Sequence, residues 1–365
     1  MAEDGDEILD AITRLLPRLM ATLDTLAMIA RHNHPNRLPD LVDAIGDQDQ
    51  LLRSALHSIR ALTWRPGLAG FRDAMDQSAD LALRACDGLR AAATGGDSRV
   101  AAYRALRHQA RAVEALYPLA ATLPAISRWF LDPAQRNDAA LVERLRKPGA
   151  GTGVVHLAND INQRGGFSLY VPETYEPSRP HPVVVALHGG SGHGRLFLWS
   201  WLREARSRGF IVAAPTAAAD TWSLMEPETD SAHLASVLGH IRSRWAVDES
   251  RLLLTGMSDG GTFTLLSGLA EDSPFTHLAP VAASFHPAIV SMSAPARVRG
   301  LPIYLVHGAL DWMFPVSVGR AANRALTAAG ANVTYREIED LSHTYPREEN
   351  PAIVDWLMGT PHGAA

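Results

Sequence analysis

One serine, one aspartate and one histidine have the types and the order that an acyl-transfer centre needs. Ser258 lies in Gly256-Met257-Ser258-Asp259-Gly260, between the apolar run 252–254 and the helical pattern "TFTLLSGLA". Serine is a poor nucleophile until a turn pushes its hydroxyl out of the chain and a base takes its proton. A strand-to-helix turn of that kind crowds the residues two places away, so Gly256 and Gly260 have a steric reason to lack side chains. The competing reading is a glycine-rich turn capped by a serine. Asp311 closes "YLVHGALD", where a carboxylate would orient an imidazole and stabilise its charged form. His343 lies in "EDLSHTYP", after the last expected strand. Alone, Asp311 reads as a cap or loop residue and His343 as polar surface. Together they follow Ser258 in the order Ser, Asp, His, each just past an apolar run.

A developing negative oxygen needs N–H donors beside the nucleophile. "LHGGSGHG" (187–194) follows an apolar run, and its glycines let backbone approach a substrate closely. One donor is expected from Gly190, with Ser191 as the alternative, and the second from Asp259. Phosphate cradling does not fit, since the spacing is neither G-x-x-x-x-G-K-[ST] nor G-x-G-x-x-G.

The elements that must carry these residues read as buried strands. "VVVALHGG" (183–190), "FIVAAPTA" (210–217), "RLLLTGMS" (251–258) and "LPIYLVHGALD" (301–311) are continuous apolar runs ending in glycine or polar residues. Such runs suit a parallel sheet covered on both faces. "ASFHPA" and "VTYREIED" are expected as further strands, and "VVHLANDINQRGGFSLYVPETY" as an antiparallel hairpin. "AHLASVLGHIRSRW" and "PAIVDWLMG" carry helical spacing, so the segment is α/β. Ligands bind at the carboxyl ends of such strands, which is where the three residues fall.

Residues 1–147 have a different grammar. Ile8, Ile12, Leu15, Leu16, Leu19, Leu23 and Leu26 recur at three- and four-residue steps, as do Leu51, Leu52, Leu56, Ile59 and Leu62. Tyr103, Leu106, Val113, Leu116 and Tyr117 continue the pattern. Breaks are expected at "HNHPNRLPD", "WRPGLAG" and "TGGDS", and Pro17 is expected to kink or split the first helix. The expectation is an all-α bundle of four or five helices over 1–147, a hinge at "RKPGAGTG", and a catalytic domain over 148–365.

The 365-residue chain has 47% hydrophobic and 20% charged residues, the balance of a globular protein. A net charge of -5 gives no footprint for nucleic acid. No apolar run reaches the roughly 20 residues that span a bilayer. The acidic start does not read as a secretory signal. The single cysteine, Cys86, excludes an intrachain disulfide and a cysteine-rich metal site. A cytoplasmic setting is therefore expected. His32 and His34 lack further ligands nearby, so no metal is expected.

On "LHGGSGHG", "VDESRLLLTGMSDGG", "VHGALDWMFP" and "LSHTYP", the segment from about 150 to 360 resembles the α/β-hydrolases. It is similar in particular to esterases grouped with polyhydroxybutyrate depolymerases, feruloyl esterases and the phospholipase/carboxylesterase family. The resemblance implies a mostly parallel sheet flanked by helices and a serine carboxylesterase. It also implies Ser258, Asp311 and His343 as triad, with no cofactor. Secreted depolymerases of that kind carry disulfides, and this chain has one cysteine, so the expected substrate is a small soluble ester. Thioester, lactone and peptide cleavage stay open, because one triad serves all acyl transfers. An idle hydrolase fold whose helical domain mediates assembly stays open as well. Expected roles for that domain are homo-oligomerisation, a lid or substrate delivery.

Around the centre, His188 is expected to hold its loop by a hydrogen bond to backbone, and His286 is a candidate for the pocket lining and the runner-up base. Trp222, Trp312, Met313 and Phe314 are candidates for an apolar pocket wall, with ordinary packing as the alternative. Asp340 is the alternative acid for His343.

Overall fold

The computed structural model describes residues 3–95 and 98–359. Its chain divides into two compact units, Met1–Asn137 and Asp138–Ala365. The division falls ahead of "RKPGAGTG", so a short helix that follows Asn137 goes with the second unit.

The first unit is helical: α1 (Glu3–His32), α2 (Leu38–Asp43), α3 (Gln48–Ala61), α4 (Ala69–Thr94), α5 (Ser98–Leu116) and α6 (Pro124–Trp129). α1 packs on α3, α4 and α5. It buries Leu15, Leu19, Leu23, Leu26 and Ile29, the stripe its spacing requires. Of the expected kink or split at Pro17, the split does not occur, and α1 runs from Glu3 to His32. Pro17 faces solvent, where water can satisfy the carbonyl that loses its donor, and buried Leu15, Leu16 and Leu19 hold the helix across it. Of the expected break at "TGGDS", Gly96 and Asp97 lie outside the described residues.

In the second unit, α7 (Ala139–Leu145) precedes a single eight-stranded sheet. Its strands are β1 (Gly153–Leu157), β2 (Phe167–Val171), β3 (His181–Leu187), β4 (Ile211–Pro215), β5 (Val247–Met257), β6 (His277–Val281), β7 (Pro302–Gly308) and β8 (Asn332–Ile338). The order is β1-β2-β4-β3-β5-β6-β7-β8. β3 to β8 pair in parallel, while β1 and β2 form an antiparallel hairpin whose second strand pairs antiparallel with β4. The helices between them are α8 (Gly194–Phe197), α9 (Leu202–Arg208), α10 (Glu228–Arg242), α11 (Asp259–Gly268), α12 (Ala288–Ser291), α13 (Pro295–Val298), α14 (Val316–Ala328) and α15 (Asn350–Met358).

Val183, Val185, Leu187, Leu252 and Leu254 of the central strands share a core with Leu234, Leu238 and Ile241 of α10 and Phe263 of α11. This explains the unbroken apolar runs, since strands covered by helices have no polar face. "ASFHPA" is not a strand. β6 ends at Val281, and Ala282 turns the chain out of the sheet with φ +47°. No helix of the described residues is long and apolar enough to cross a membrane.

Candidate active site

Parallel pairing brings the carboxyl ends of β3, β5 and β6 level, with Leu187 opposite Gly256 and Met257 opposite Val281. Ser258 comes next, with φ 57° and ψ -120°. A left-handed φ at a non-glycine residue costs on the order of 1–3 kcal/mol and persists only where the surroundings impose it. Here the Ser258 N–H is held by the Val281 carbonyl, and α11 begins at the next residue. The turn leaves no room beside it. A Cβ at Gly256 would lie 2.5 Å from the Gly260 carbonyl oxygen, and one at Gly260 would lie 2.5 Å from that of His188.

His343 is 3% exposed, and its Nδ1 lies 2.8 Å from Asp311 Oδ2. An ionised carboxylate only accepts, so Nδ1 carries the proton and Nε2 is left as acceptor. That Nε2 takes the Ser258 hydroxyl at 3.0 Å. Asp311 Oδ1 accepts the backbone N–H groups of Met313 (2.9 Å) and Phe314 (2.8 Å). The loops bearing acid and base are joined by backbone, through Ala309 N–H to Ile338 and Leu310 N–H to Leu341. The structure thus brings Ser258, His343 and Asp311 into one hydrogen-bonded chain. Asp340 is exposed, and the acid on His343 Nδ1 is Asp311.

Asp259 opens α11, so its N–H has no carbonyl four residues back within the helix. Gly190 is its neighbour, for a Cβ built there would stand 2.7 Å from Asp259 Oδ2. The alternative donor, Ser191, is not available in this way, because its N–H is committed to the Asp220 carbonyl at 2.9 Å.

Residues 231–358, from within α10 to the end of α15, match the phospholipase/carboxylesterase family model. The matched segment holds Ser258, Asp311 and His343, and over it the second unit is similar to carboxylesterases. The chain is 26% identical over 188 residues to feruloyl esterase C of Emericella nidulans, covering 49% of this chain and 67% of that protein. It is also 26% identical over 163 residues to a bifunctional acetylxylan esterase/xylanase of Neocallimastix patriciarum, covering 42% of this chain and 23% of that protein. Among solved structures, a thermostable esterase is similar with TM-score 0.46 and 22% identity over 56% of this chain and 62% of that one.

In the second unit the loop after β3 is fastened by Arg164, Thr221 and His193, which sequence reasoning passed over, and by His188. Arg164, from the β1–β2 turn, donates to the Gly192 carbonyl at 2.6 Å and to the Ala219 carbonyl. Thr221 donates to Asp259 Oδ2 at 2.5 Å. His193 donates from Nε2 to the Gln163 carbonyl, 2.9 Å away, and burial holds its imidazole below the ordinary range. His188 accepts the Ala217 N–H at Nε2, so its Nδ1 carries the proton and donates to Gly189. Arg164 stood in the quoted "INQRGGF", but nothing local marks a guanidinium that meets two loops after separate strands.

Trp222 is buried in the core, stacked on Phe263 and donating to the His188 carbonyl. It supports the loop from beneath. His286 is exposed, its Nδ1 accepting the Ala288 N–H, and it is not part of the chain to Ser258. Trp312 and Phe314 place their rings 6.2 Å and 5.3 Å from that of His343. Met313, beside them in sequence, is 44% exposed. Among the described residues no group of three or more His, Cys, Asp or Glu side chains could hold a metal ion.

Proposed function

We propose that the second unit hydrolyses small soluble carboxylic esters through an acyl-enzyme on Ser258. His343 takes the Ser258 proton as the hydroxyl oxygen attacks the ester carbonyl. It returns that proton to the leaving alcohol as the C–O bond breaks. Water then repeats the exchange and releases the acid. Asp311 keeps His343 in the tautomer that accepts at Nε2 and stabilises the imidazolium. The N–H groups of Gly190 and Asp259 receive the oxyanion, a contribution of about 3–4 kcal/mol per donor in comparable sites. The observation that carries this reading is the chain from Ser258 Oγ through His343 to Asp311, at 3.0 Å and 2.8 Å. The single cysteine supports a cytoplasmic setting.

The test is Ser258→Ala. We expect ester hydrolysis to fall by roughly 10⁴- to 10⁶-fold with an unchanged circular dichroism spectrum. A fluorophosphonate should label the native chain at Ser258. Near-native turnover by the variant would refute the assignment. The names of the relatives put feruloyl and acetyl esters first in a substrate panel, followed by thioesters, lactones and amides.

A further inference from the structure

The side chain of His307 is fully buried on β7, and its ring lies against α14. A Cβ at Gly319 of that helix would come within 2.6 Å of His307 Cγ, so the ring occupies space a side chain there would need. Its Nε2 lies 2.9 Å from the Phe314 carbonyl oxygen, which can only accept, so Nε2 carries the proton. The same nitrogen is 3.7 Å from Asp311 Oδ2. Nδ1 is left as an acceptor and has no hydrogen-bond partner among the described residues. A buried ring nitrogen without a partner is destabilising, so packing alone gives no reason for an imidazole here. The reason lies on the Nε2 side. Phe314 is gripped from both ends, its carbonyl by His307 and its N–H by Asp311 Oδ1, and its ring packs T-shaped with that of His343.

We propose that His307 is a positioning residue that acts through Asp311. By fixing the 311–314 turn it holds the two N–H groups that orient the Asp311 carboxylate, and through them the angle at which His343 faces Ser258. A misplacement of about 1 Å at a reacting pair costs about 10²-fold in rate. The inference rests on the proposed roles of Ser258, His343 and Asp311.

The experiment is a double-mutant cycle on the full chain. His307→Leu and His307→Asn each remove the Nε2 donor, and both are expected to lower kcat about 10²-fold while KM stays within about threefold. His307→Gln places an amide N–H near the position of Nε2 and is expected to recover most of the loss. In an Asp311→Asn background, His307→Asn should cost little more, because the group it works through is already lost. An equal fold-loss in both backgrounds overturns the proposal. So does a His307→Asn enzyme of native kcat, or a Gln variant no better than the Leu and Asn variants. If His307→Leu fails to fold, the Asn and Gln variants carry the comparison. Ser258→Ala in the same assay separates the two readings: native turnover there defeats the triad itself, whereas normal loss there with no effect at His307 defeats only the present inference.

Discussion

The two units place their buried polar groups differently. In the helical unit Thr22, Ser78 and Asp49 each serve a backbone carbonyl or an ion pair. Thr22 donates to the Arg18 carbonyl, Ser78 to that of Ala112, and Asp49 meets Arg90. In the α/β unit they gather into connected sets: Ser258, His343 and Asp311 in one, Ser168, Asn159, Thr216 and the Gly194 N–H in another. Strain follows the same division. Among the described residues, the non-glycine positions with positive φ are Ala158, Ser191, Ser258 and Ala282, all in the second unit. Three of the four follow β3, β5 and β6 at the carboxyl edge of the sheet. Backbone cost and desolvated polar atoms are concentrated where parallel strands end, which is where a site on this fold belongs. The helical unit meets the ordinary rules of periodicity and does not need such exceptions.

If this contrast is about function, the largest effect should come from a change that leaves every packing contact in place. Asp311→Asn is such a change. The amide cannot accept from His343 Nδ1 with the nitrogen that replaces Oδ2, so the imidazole is driven to the tautomer that cannot take the Ser258 proton. We expect kcat to drop about 10⁴-fold with little movement of Tm. Paired kinetics and thermal melts measure it. A loss of Tm large enough to account for the lost activity would mean that Asp311 is structural, and the contrast would fail.

The difference between the units also explains what the sequence could disclose. The helices were legible from the three- and four-residue spacing of leucines such as Leu15, Leu19 and Leu23, because burial on one stripe is a local property. Ser258 was legible because its neighbours must be glycine for steric reasons that act within five residues. Asp311 and His343 were legible from chain order and from their places after expected strands. His307 and Arg164 were not, since each derives its role from groups that come together only in three dimensions. Trp222 stayed open between two readings for the same reason. Its aromatic type suits a pocket wall and a core equally, and only the stacking on Phe263 decides. "ASFHPA" has the composition of a strand, but the run that pairs is the preceding one, and Ala282 leaves the sheet.

Arg164 offers a smaller test of the same contrast. It is half-buried, and its guanidinium ties the Gly192 and Ala219 carbonyls, on either side of the Ser191–Asp220 hydrogen bond. Arg164→Ala is expected to lower kcat/KM about 10- to 100-fold through the loop that carries Gly190, with only a minor change in Tm. Arg164→Lys should recover little, because one ammonium cannot reproduce a planar fork reaching two carbonyls. Full recovery with lysine would reduce the role to charge alone and remove the geometric argument.

The smallest effect on chemistry, and the largest on stability, is expected from Leu23→Ala in α1. Leu23 is fully buried, and truncation there should destabilise the helical unit by about 2–5 kcal/mol. The thiol of Cys86 on α4 reports on that unit independently of turnover. Burial first, and the charges of Asp49 and Asp87 after it, push its pKa up to about 12. A raised pKa means that the reactive thiolate is scarce while the unit is folded and becomes abundant once the chain opens, so at pH 8 the folded thiolate fraction is ~10⁻⁴. Leu23→Ala should therefore speed the reaction of Cys86 with a disulfide reagent in native buffer, while kcat per folded molecule stays within about twofold of the parent. Equal acceleration of Cys86 by Asp311→Asn, or a fall in kcat on Leu23→Ala that persists where Cys86 is still protected, would show that the two units share one cooperative structure. The separation of packing from chemistry would then have to be given up.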